Sequence, residues 1–248
     1  MISKNQIKLI RQLESKKYRK REGLFVAEGP KVVGDLLRRY QPHAVYTTSS
    51  SLPCLQPGTD VTLITDDELR RISFLQHPQQ VLALFPIPSE EAALEVATDR
   101  LSLALDGVQD PGNLGTIIRI ADWFGIQDIY CSEDTVDAWN PKVIQATMGS
   151  IARVNIAYTS LTSLLDTMPE DFPVYGTLLD GENIYTQELS EGGLIIMGNE
   201  GNGISEAIKS RVTRRLLIPD FRHGDTADSL NVAVATAITC SEFRRRSV

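Results

Sequence analysis

The sequence lacks the features that identify membrane proteins, secreted proteins, disulfide-rich proteins and metalloproteins. No apolar run approaches the roughly 18–20 residues that a membrane-spanning helix needs, and the basic start MISKNQIKLIRQLESKK has no continuous apolar stretch typical of a secretory signal. The three cysteines, Cys54, Cys131 and Cys240, are far apart and odd in number, which argues against a disulfide framework. Neither they nor the histidines show a metal-ligand spacing. These absences predict a reduced, metal-free cytoplasmic protein with no membrane contact.

The composition is that of an ordinary globular protein. The 248 residues are 23% charged and 42% hydrophobic, with 17 Gly and 12 Pro. This balance argues against disordered, collagen-like and coiled-coil proteins. The length is sufficient for one large domain or for two modest domains with cores of their own.

The charge is distributed unevenly along the chain. The net charge of the whole chain is −7. Residues 1–39, however, hold 11 Lys/Arg and 4 Asp/Glu, which gives this segment a net charge of +7. The remaining residues hold 14 Lys/Arg and 28 Asp/Glu. The densest basic cluster consists of Lys16, Lys17, Arg19, Lys20 and Arg21, with Tyr18 among them. Such a cluster can neutralise RNA phosphates while the tyrosine stacks on a base. A solvated helix face is the alternative interpretation.

The apolar pattern divides the chain near residue 90. Before it, we predict helices at 3–21, 30–40 and 66–72 and strands at 24–26, 44–47, 61–64 and 81–85. The segment 86–99 is rich in proline and acidic residues, which is typical of a linker. After it, strands at 101–105, 129–131, 154–157, 174–177, 194–197 and 216–218 alternate with helices at 114–124, 141–148, 161–166, 205–209 and 230–245. This alternation predicts an α/β domain with a parallel sheet whose ligands bind at the carboxyl ends of its strands.

Three junctions between a strand and the following loop carry the candidate functional residues. In the first, DGVQDPGNLGTIIRIADWFG, Asn113 is a candidate N-cap, and Arg119 lies on the helix that follows. In the second, IIMGNEGNGIS, the glycines allow close approach of a ligand to the backbone. Glu200 in this loop would repel an anion, so the loop favours a neutral or cationic ligand such as a sulfonium. An ordinary helix cap and a glycine-rich turn remain the alternative interpretations.

The third junction precedes the last helix. A strand stops at Pro219, and Ser229 or Asp228 can cap a helix that begins SLNVAVA. Asn231 has a poor helix propensity, which a side-chain hydrogen bond would explain. His223 and Asp225 could belong to a hydrolase, but the absence of a GxSxG motif disfavours that class.

In this order, the three segments resemble the signature of the TrmH (SpoU) family of RNA 2′-O-methyltransferases in the SPOUT superfamily. The segment NPKVIQATMGSIARV, residues 140–154, resembles the part of the family that follows its second strand. Residues 17–37 are similar to the substrate-binding domain that many members carry, whose fold is that of a ribosomal RNA-binding protein. The resemblance implies an RNA substrate-binding domain at 1–90, a linker at 91–99 and a SPOUT methyltransferase domain at 100–248. It also implies a parallel-sheet fold with a C-terminal deep trefoil knot, a homodimer and S-adenosylmethionine as cofactor.

The resemblance also assigns roles to individual residues. Cofactor contacts are expected from Thr177, Leu178, Gly198, Ile218, Pro219, Leu230 and Asn231, and the polar active-site positions are Asn113, Arg119, Glu200, Ser229 and Asn231. Arg119 matches a residue that is often assigned a catalytic role. Because a guanidinium keeps its proton, we expect Arg119 to bind the target phosphate and to favour the developing alkoxide. Between Pro219 and Ser229 the chain has nine residues, more than many relatives, which affects the shape expected for the loop 220–228.

Three interpretations of function follow. The favoured one is a methyltransferase that uses S-adenosylmethionine to modify a ribose 2′-hydroxyl in RNA, with ribosomal RNA preferred over transfer RNA. The second is a non-catalytic RNA-binding or ribosome-associated module that keeps the fold, which the intact polar positions disfavour. The third is a nucleotide-dependent α/β enzyme such as a dehydrogenase, which the missing GxGxxG motif disfavours.

Overall fold

The computed structural model describes residues 1–88, 96–221 and 229–245. The chain forms two compact units. The first unit comprises Met1–Ser89 and Asp137–Ala152, and the second unit comprises Glu90–Val136 and Arg153–Val248. Residues 91–95 of the predicted linker and 222–228 of the loop before Ser229, with His223 and Asp225, lie outside the described residues. Within the described ranges, no helix is long and apolar enough to cross a membrane.

A four-stranded sheet is the centre of the first unit. Its strands are β1 (Leu24–Glu28), β2 (Ala44–Thr47), β3 (Thr62–Leu63) and β4 (Val81–Pro86), in the order β1-β4-β2-β3. Strand β4 is antiparallel to β1 and β2, and β3 is parallel to β2. The helices of this unit are α1 (Lys4–Gln12), α2 (Lys16–Glu22), α3 (Pro30–Leu37), α4 (Asp66–Ile72) and α6 (Pro141–Ala146).

The segment 137–152 belongs to the first unit, although the order of apolar runs in the sequence puts it inside the second domain. Its Trp139 ring lies 4.9 Å from the ring of Phe25 on β1, measured between centroids. Gly149, with φ of +94°, packs so closely on Asp35 that a Cβ atom would lie 2.5 Å from the carboxylate. The sequence could not reveal this arrangement, because both contacts join positions more than a hundred residues apart.

The single helix predicted at 3–21 is in fact two helices. Ser3 and Gln6 form a capping box that starts α1, and Leu13 closes it. Ser15 has extended backbone angles and precedes α2, which ends at Gly23 in the left-handed conformation, with φ of 65°. The turn between the helices separates α2, with the basic cluster, from α1.

Arg19 of the basic cluster is buried, so its predicted role in RNA binding is wrong. Its side chain is 2% exposed and pairs with Asp137 at 2.5 Å. The same guanidinium donates hydrogen bonds to the carbonyl oxygens of Leu13 and Glu14, at 2.7 Å each. Arg19 therefore closes the end of α1 and anchors α2, while Lys16, Lys17, Lys20 and Arg21 are exposed and Tyr18 is half-buried.

Replacing Arg19 with alanine tests this correction. Removing one partner of a buried ion pair leaves the Asp137 carboxylate without its main partner, so we expect a loss of about 3–5 kcal/mol in the free energy of unfolding. Urea denaturation measures this loss. The control is Arg70→Ala, because Arg70 is 67% exposed and its partner Asp67 is 79% exposed. Equal stabilities of the two variants would contradict the structural role of Arg19.

A six-stranded parallel sheet forms the centre of the second unit. Its strands are β5 (Leu101–Leu105), β6 (Asp128–Cys131), β7 (Asn155–Tyr158), β8 (Val174–Asn183), β9 (Gly193–Met197) and β10 (Arg214–Leu217), in the order β10-β8-β9-β5-β6-β7. Every neighbouring pair is parallel. The helices are α5 (Pro111–Trp123), α7 (Leu161–Asp166), α8 (Glu206–Lys209) and α9 (Val232–Arg245). The predicted parallel α/β sheet is confirmed.

The residues that cap α5 and α9 differ from those predicted. Asp110, rather than Asn113, caps α5, because its side chain accepts a hydrogen bond from the Asn113 amide at 2.8 Å and Pro111 occupies the first turn. Asn231, rather than Ser229, caps α9, because its Oδ1 atom accepts from the amides of Ala233 and Val234 at 3.0 and 3.2 Å. The side chain of Asn113 is therefore available for other contacts.

Candidate active site

A cavity of about 340 Å³ lies at the carboxyl ends of β9 and β10 and beside the middle of β8. Its lining comes from 177–179, 197–203 and 216–218, together with Ser229, Leu230, Val232 and Ala235. An irregularity in the sheet supplies one wall, because Arg215 pairs with Gly176 whereas the next residue, Leu216, pairs with Glu182. The intervening residues of β8 leave the ladder, and 177–179 line the cavity. This is the edge at which parallel sheets bind their ligands.

The loop 198–203, which we call the glycine loop, requires glycine at its first position. A Cβ atom on Gly198 would lie 2.2 Å from the carbonyl carbon of Gly203 and 2.3 Å from the Ile204 nitrogen. The backbone of Asn199 pairs with that of Gly203 through two hydrogen bonds of 2.9 and 3.0 Å. The loop is therefore a tight turn whose backbone forms part of the cavity wall.

The structure brings three of the predicted catalytic side chains together. The Asn231 Nδ2 atom donates to Asn113 Oδ1 at 2.9 Å. The Asn113 Nδ2 atom in turn donates to Glu200 Oε1 at 2.9 Å. Asn113 lies in the first turn of α5, Glu200 follows β9 and Asn231 precedes α9, so the chain of hydrogen bonds joins all three sequence segments at one place.

Glu200 binds the loop 106–113, which we call the catalytic loop. Besides Asn113, its carboxylate accepts hydrogen bonds of 3.3 Å from the amides of Gln109 and Asp110. Burial acts to raise the pKa of Glu200, but the hydrogen bonds from Asn113 and the backbone amides outweigh it and lower the pKa below its usual value. Glu200 is therefore an ionised anchor for the catalytic loop.

The pH dependence of unfolding tests this anchor. Because the pKa of Glu200 is lowered in the folded protein, its carboxylate contributes stability that is present above about pH 4.5 and is lost as the pH falls through the folded-state pKa. We expect Glu200→Gln to lower the melting temperature at pH 7, and the difference from the wild type to shrink below pH 4.5. Thermal unfolding between pH 7 and pH 3 measures this difference in melting temperature. The control is Glu206→Gln, because that carboxylate is 88% exposed, and a pH-independent difference for Glu200→Gln would contradict the anchor.

The other predicted site residues divide into those that line the cavity and those that do not. Thr177, Leu178, Gly198, Ile218, Ser229 and Leu230 line the cavity, whereas Pro219 and Asn231 are outside its lining. Arg119 is exposed on α5 and makes no hydrogen bond or ion pair with any residue of the described ranges. It lies roughly 9 Å further along the helix axis than Asn113, at about 1.5 Å per residue. Within one chain, Arg119 therefore forms no hydrogen bond with the polar cluster of Asn113, Glu200 and Asn231.

Two residues that the sequence motifs do not single out also shape the site. The Asp106 carboxylate accepts from the Ser205 amide at 2.7 Å, and Asn199 Nδ2 donates to the Gly107 carbonyl at 2.6 Å. Asp106 directly follows β5, and Asn199 lies two residues past the end of the neighbouring strand β9, whose last residue, Met197, pairs with Leu105. A polar residue within two positions of the end of each of two adjacent parallel strands is the signal that could have identified them. Across the described ranges, no group of His, Cys, Asp and Glu side chains is arranged to hold a metal ion.

Two family models and a full-length relative match this chain. A model of the SpoU rRNA methylase family matches residues 100–241, and a model of an MRM3-like substrate-binding domain matches residues 4–83. The 23S rRNA (guanosine(2553)-2′-O)-methyltransferase RlmP of Bacillus subtilis is 33% identical, and the match covers 98% of this chain and 97% of RlmP.

Solved structures agree with these matches. A Porphyromonas gingivalis protein described as an RNA methyltransferase of the TrmH family is 41% identical, with a TM-score of 0.87 over 99% of both chains. An rRNA methyltransferase from Sinorhizobium meliloti, solved with bound S-adenosylmethionine, is 29% identical, with a TM-score of 0.86 over 100% of this chain and 98% of the other.

Proposed function

The chain belongs to the SpoU rRNA methylase family, and from its site we infer that it transfers a methyl group from S-adenosylmethionine to a ribose 2′-hydroxyl of RNA. The observation that carries this function is the hydrogen-bonded cluster of Asn113, Glu200 and Asn231 beside the cavity at the strand ends. A non-catalytic module would not need these polar groups aligned with a cofactor-sized cavity. Because named relatives act on ribosomal RNA, ribosomal RNA is the substrate that we propose.

The cavity fits S-adenosylmethionine. Its walls are largely backbone and aliphatic side chains, and the glycine loop, whose tight turn requires Gly198, forms part of the lining. The ionised Glu200 lies in the lining and disfavours an anion while favouring a cation. Thr177, Leu178, Gly198, Ile218 and Leu230 would hold the cofactor, whereas Pro219, two residues past the end of β10, lies outside the lining. The cofactor supplies an electrophilic methyl group on a positively charged sulfur.

The protein's own groups would position the ribose. Asn113 and Asn231 hold each other through one hydrogen bond. Each amide nitrogen uses one of its two N–H groups within the cluster, so the second N–H of each would be available to the ribose, and Ser229 lines the cavity. Glu200 directs its carboxylate at three N–H donors, so it holds the catalytic loop rather than removing the proton. Alignment of the hydroxyl with the methyl group accounts for most of the rate enhancement. The 2′-hydroxyl distinguishes RNA from DNA.

A homodimer would complete this site. Arg119 has no partner among the described residues, and the exposed side of α5 continues to Trp123, which is 85% exposed. Helix α9 packs on α5 and carries Val234, which is 49% exposed. Exposed apolar side chains on the outer face of two packed helices favour self-association through that face. We propose that the dimer buries this face and brings Arg119 of one chain to the polar cluster of the other, where it binds the target phosphate.

The family resemblance and the two units support two further assignments. We propose that the first unit binds the RNA substrate, in agreement with the substrate-binding model that matches residues 4–83, and that the second unit is the methyltransferase domain. The high similarity to solved family members supports the C-terminal trefoil knot in the second unit. The RNA contacts of the first unit would include Lys16, Lys17, Tyr18, Lys20 and Arg21, because Arg19 is buried.

Charge removal on α2 tests the RNA contacts. We expect the fourfold variant Lys16→Gln, Lys17→Gln, Lys20→Gln and Arg21→Gln to weaken RNA binding at 50 mM salt and to reduce the slope of log Kd against log salt by roughly 0.7–0.9 for each phosphate that is no longer neutralised. Filter binding with an rRNA fragment measures both. The control is Arg70→Gln with Arg71→Gln on α4 of the same unit. If the slope of log Kd against log salt were unchanged in the fourfold variant, the cluster would be a solvated surface that does not contact RNA.

Calorimetric titration tests the proposed cofactor. Saturable binding of S-adenosylmethionine with no heat from NADH is expected, because the cavity lacks the phosphate-binding glycine motif of a dinucleotide fold. Binding of NADH alone would favour a dehydrogenase. Binding of S-adenosylmethionine without transfer to any RNA would instead support the non-catalytic module.

A further inference from the structure

Asn199 uses its whole side-chain amide to connect two loops. Its Oδ1 atom accepts hydrogen bonds from the amides of Gly201 and Asn202 at 2.9 and 3.0 Å, which folds the glycine loop. Its Nδ2 atom donates to the carbonyl oxygen of Gly107 in the catalytic loop at 2.6 Å. One side chain therefore shapes the cavity wall and also holds the neighbouring loop.

Gly107 is a well-fixed point for this contact. It is buried, and its amide donates to the Ser132 Oγ atom at 2.8 Å. It has a φ of +72°, and a Cβ atom there would lie 3.1 Å from the carboxylate of Asp134. Because Gly107 is held on its other side by the turn after β6, a displacement of Asn199 would change the hydrogen-bond geometry rather than be absorbed by Gly107.

The link joins the part of the site that would contact the cofactor to the part that would contact the ribose. The glycine loop lines the cavity, and the catalytic loop ends at Asn113, which binds both Glu200 and Asn231. Glu200 also spans the two loops, but it contacts only the distal half of the catalytic loop, at 109–113. Asn199 and Asp106 hold the proximal half.

We propose that Asn199 is a positioning residue for methyl transfer: it keeps the catalytic loop in register with the cofactor-binding glycine loop, so that Asn113 stays aligned with the cavity. This inference rests on the proposed function. It is specific to the side chain, since the backbone of residue 199 would still pair with Gly203 if the side chain changed. A misalignment of about 1 Å in a catalytic site can cost roughly 100-fold in rate.

Asn199→Asp distinguishes the two roles of the side-chain amide, which are to accept hydrogen bonds within the glycine loop and to donate one to the catalytic loop. The aspartate keeps an oxygen for the amides of Gly201 and Asn202, but it places a second oxygen against the Gly107 carbonyl and loses the donor. We expect kcat to fall by roughly 10–100-fold, because alignment is lost, while the Kd for S-adenosylmethionine changes by less than about threefold, because the turn is kept. The control for the added charge is Asn183→Asp. The Oδ1 atom of Asn183 accepts a hydrogen bond from the Tyr185 amide at 3.0 Å, and a carboxylate oxygen can accept the same bond.

Hydrogen–deuterium exchange gives a readout that does not depend on activity. We expect faster exchange over 106–113 in Asn199→Asp than in the wild type, and wild-type exchange in Asn183→Asp. Equal exchange in the wild type and Asn199→Asp, or a Kd that rises as much as kcat falls, would overturn the proposal. If the wild type transferred no methyl group to RNA, the proposed function would fail, and the exchange comparison would still decide whether Asn199 holds the catalytic loop.

Discussion

We expect the replacement of Arg119 with alanine to lower the rate of methyl transfer by roughly 10²–10³-fold, the usual cost of removing one group that stabilises developing charge, and to leave the affinity for S-adenosylmethionine nearly unchanged. The reason is geometric. Arg119 is exposed on α5, is absent from the cavity lining and makes no hydrogen bond with the polar cluster of its own chain. Its removal therefore disturbs no interaction that shapes the cofactor cavity, but it removes the guanidinium proposed to bind the target phosphate.

Single-turnover transfer to an rRNA fragment measures the rate, and calorimetric titration with S-adenosylmethionine measures the affinity for the cofactor. Arg119→Lys keeps the charge but loses the planar pair of donors, so we expect an intermediate rate. The matched control is Arg70→Ala, which removes an exposed arginine from the first unit. A large loss of cofactor affinity in Arg119→Ala, or a full rate, would contradict the role assigned to Arg119.

The second large effect is expected at Gly198. A Cβ atom at this position would lie 2.2 Å from the backbone of Gly203, a separation that real structures do not show. Because the obstructing atoms are backbone, Gly198→Ala must displace the glycine loop that lines the cavity. We expect the Kd for S-adenosylmethionine to rise by a factor on the order of 100, which corresponds to about 2.7 kcal/mol.

Gly201→Ala is the matched comparison within the same loop. A Cβ atom there would meet only the Asn199 Oδ1 atom at 3.6 Å, an ordinary contact, so we expect a change in Kd of less than about threefold. Calorimetry measures both affinities, and thermal unfolding shows whether each variant is folded. Similar affinities for the two alanine variants would mean that the shape of the glycine loop does not determine cofactor binding.

Mixing Arg119→Ala with Gly198→Ala tests the proposed dimer. If Arg119 acts on the partner's cluster, a mixed dimer contains one site with an intact cavity and an intact arginine, and random pairing restores about a quarter of the wild-type rate. If Arg119 acts within its own chain, the mixture stays inactive. The outcome therefore distinguishes a shared site from two independent sites.

The sequence predicts the second unit well because its signals are local. Its six parallel strands produce apolar runs that end in polar loops, and this pattern places Asn113, Glu200 and Asn231 at one edge of the sheet. The caps are harder to assign, since Asp110 and Asn113 are both capping residues. The proline at position 111 decides between them, because proline favours the first helical position.

The first unit shows what local patterns cannot supply. Arg19 belongs by composition to a solvent-facing basic cluster, but its partner Asp137 is 118 residues away in the sequence. The packing of Gly149 on Asp35 likewise joins distant parts of the chain. Asn199 is hard to find for a different reason: its local signal, a polar residue after a strand, is common and gains its meaning only when Gly107 is seen beside it.

The most direct test of the proposed function is transfer of a labelled methyl group from S-adenosylmethionine to unmodified ribosomal RNA, followed by complete nuclease digestion and separation of the nucleosides. We expect label in a 2′-O-methylated nucleoside with the wild type and almost none with Arg119→Ala. Label on a base, or no label in RNA despite saturable cofactor binding, would contradict ribose methylation by this site.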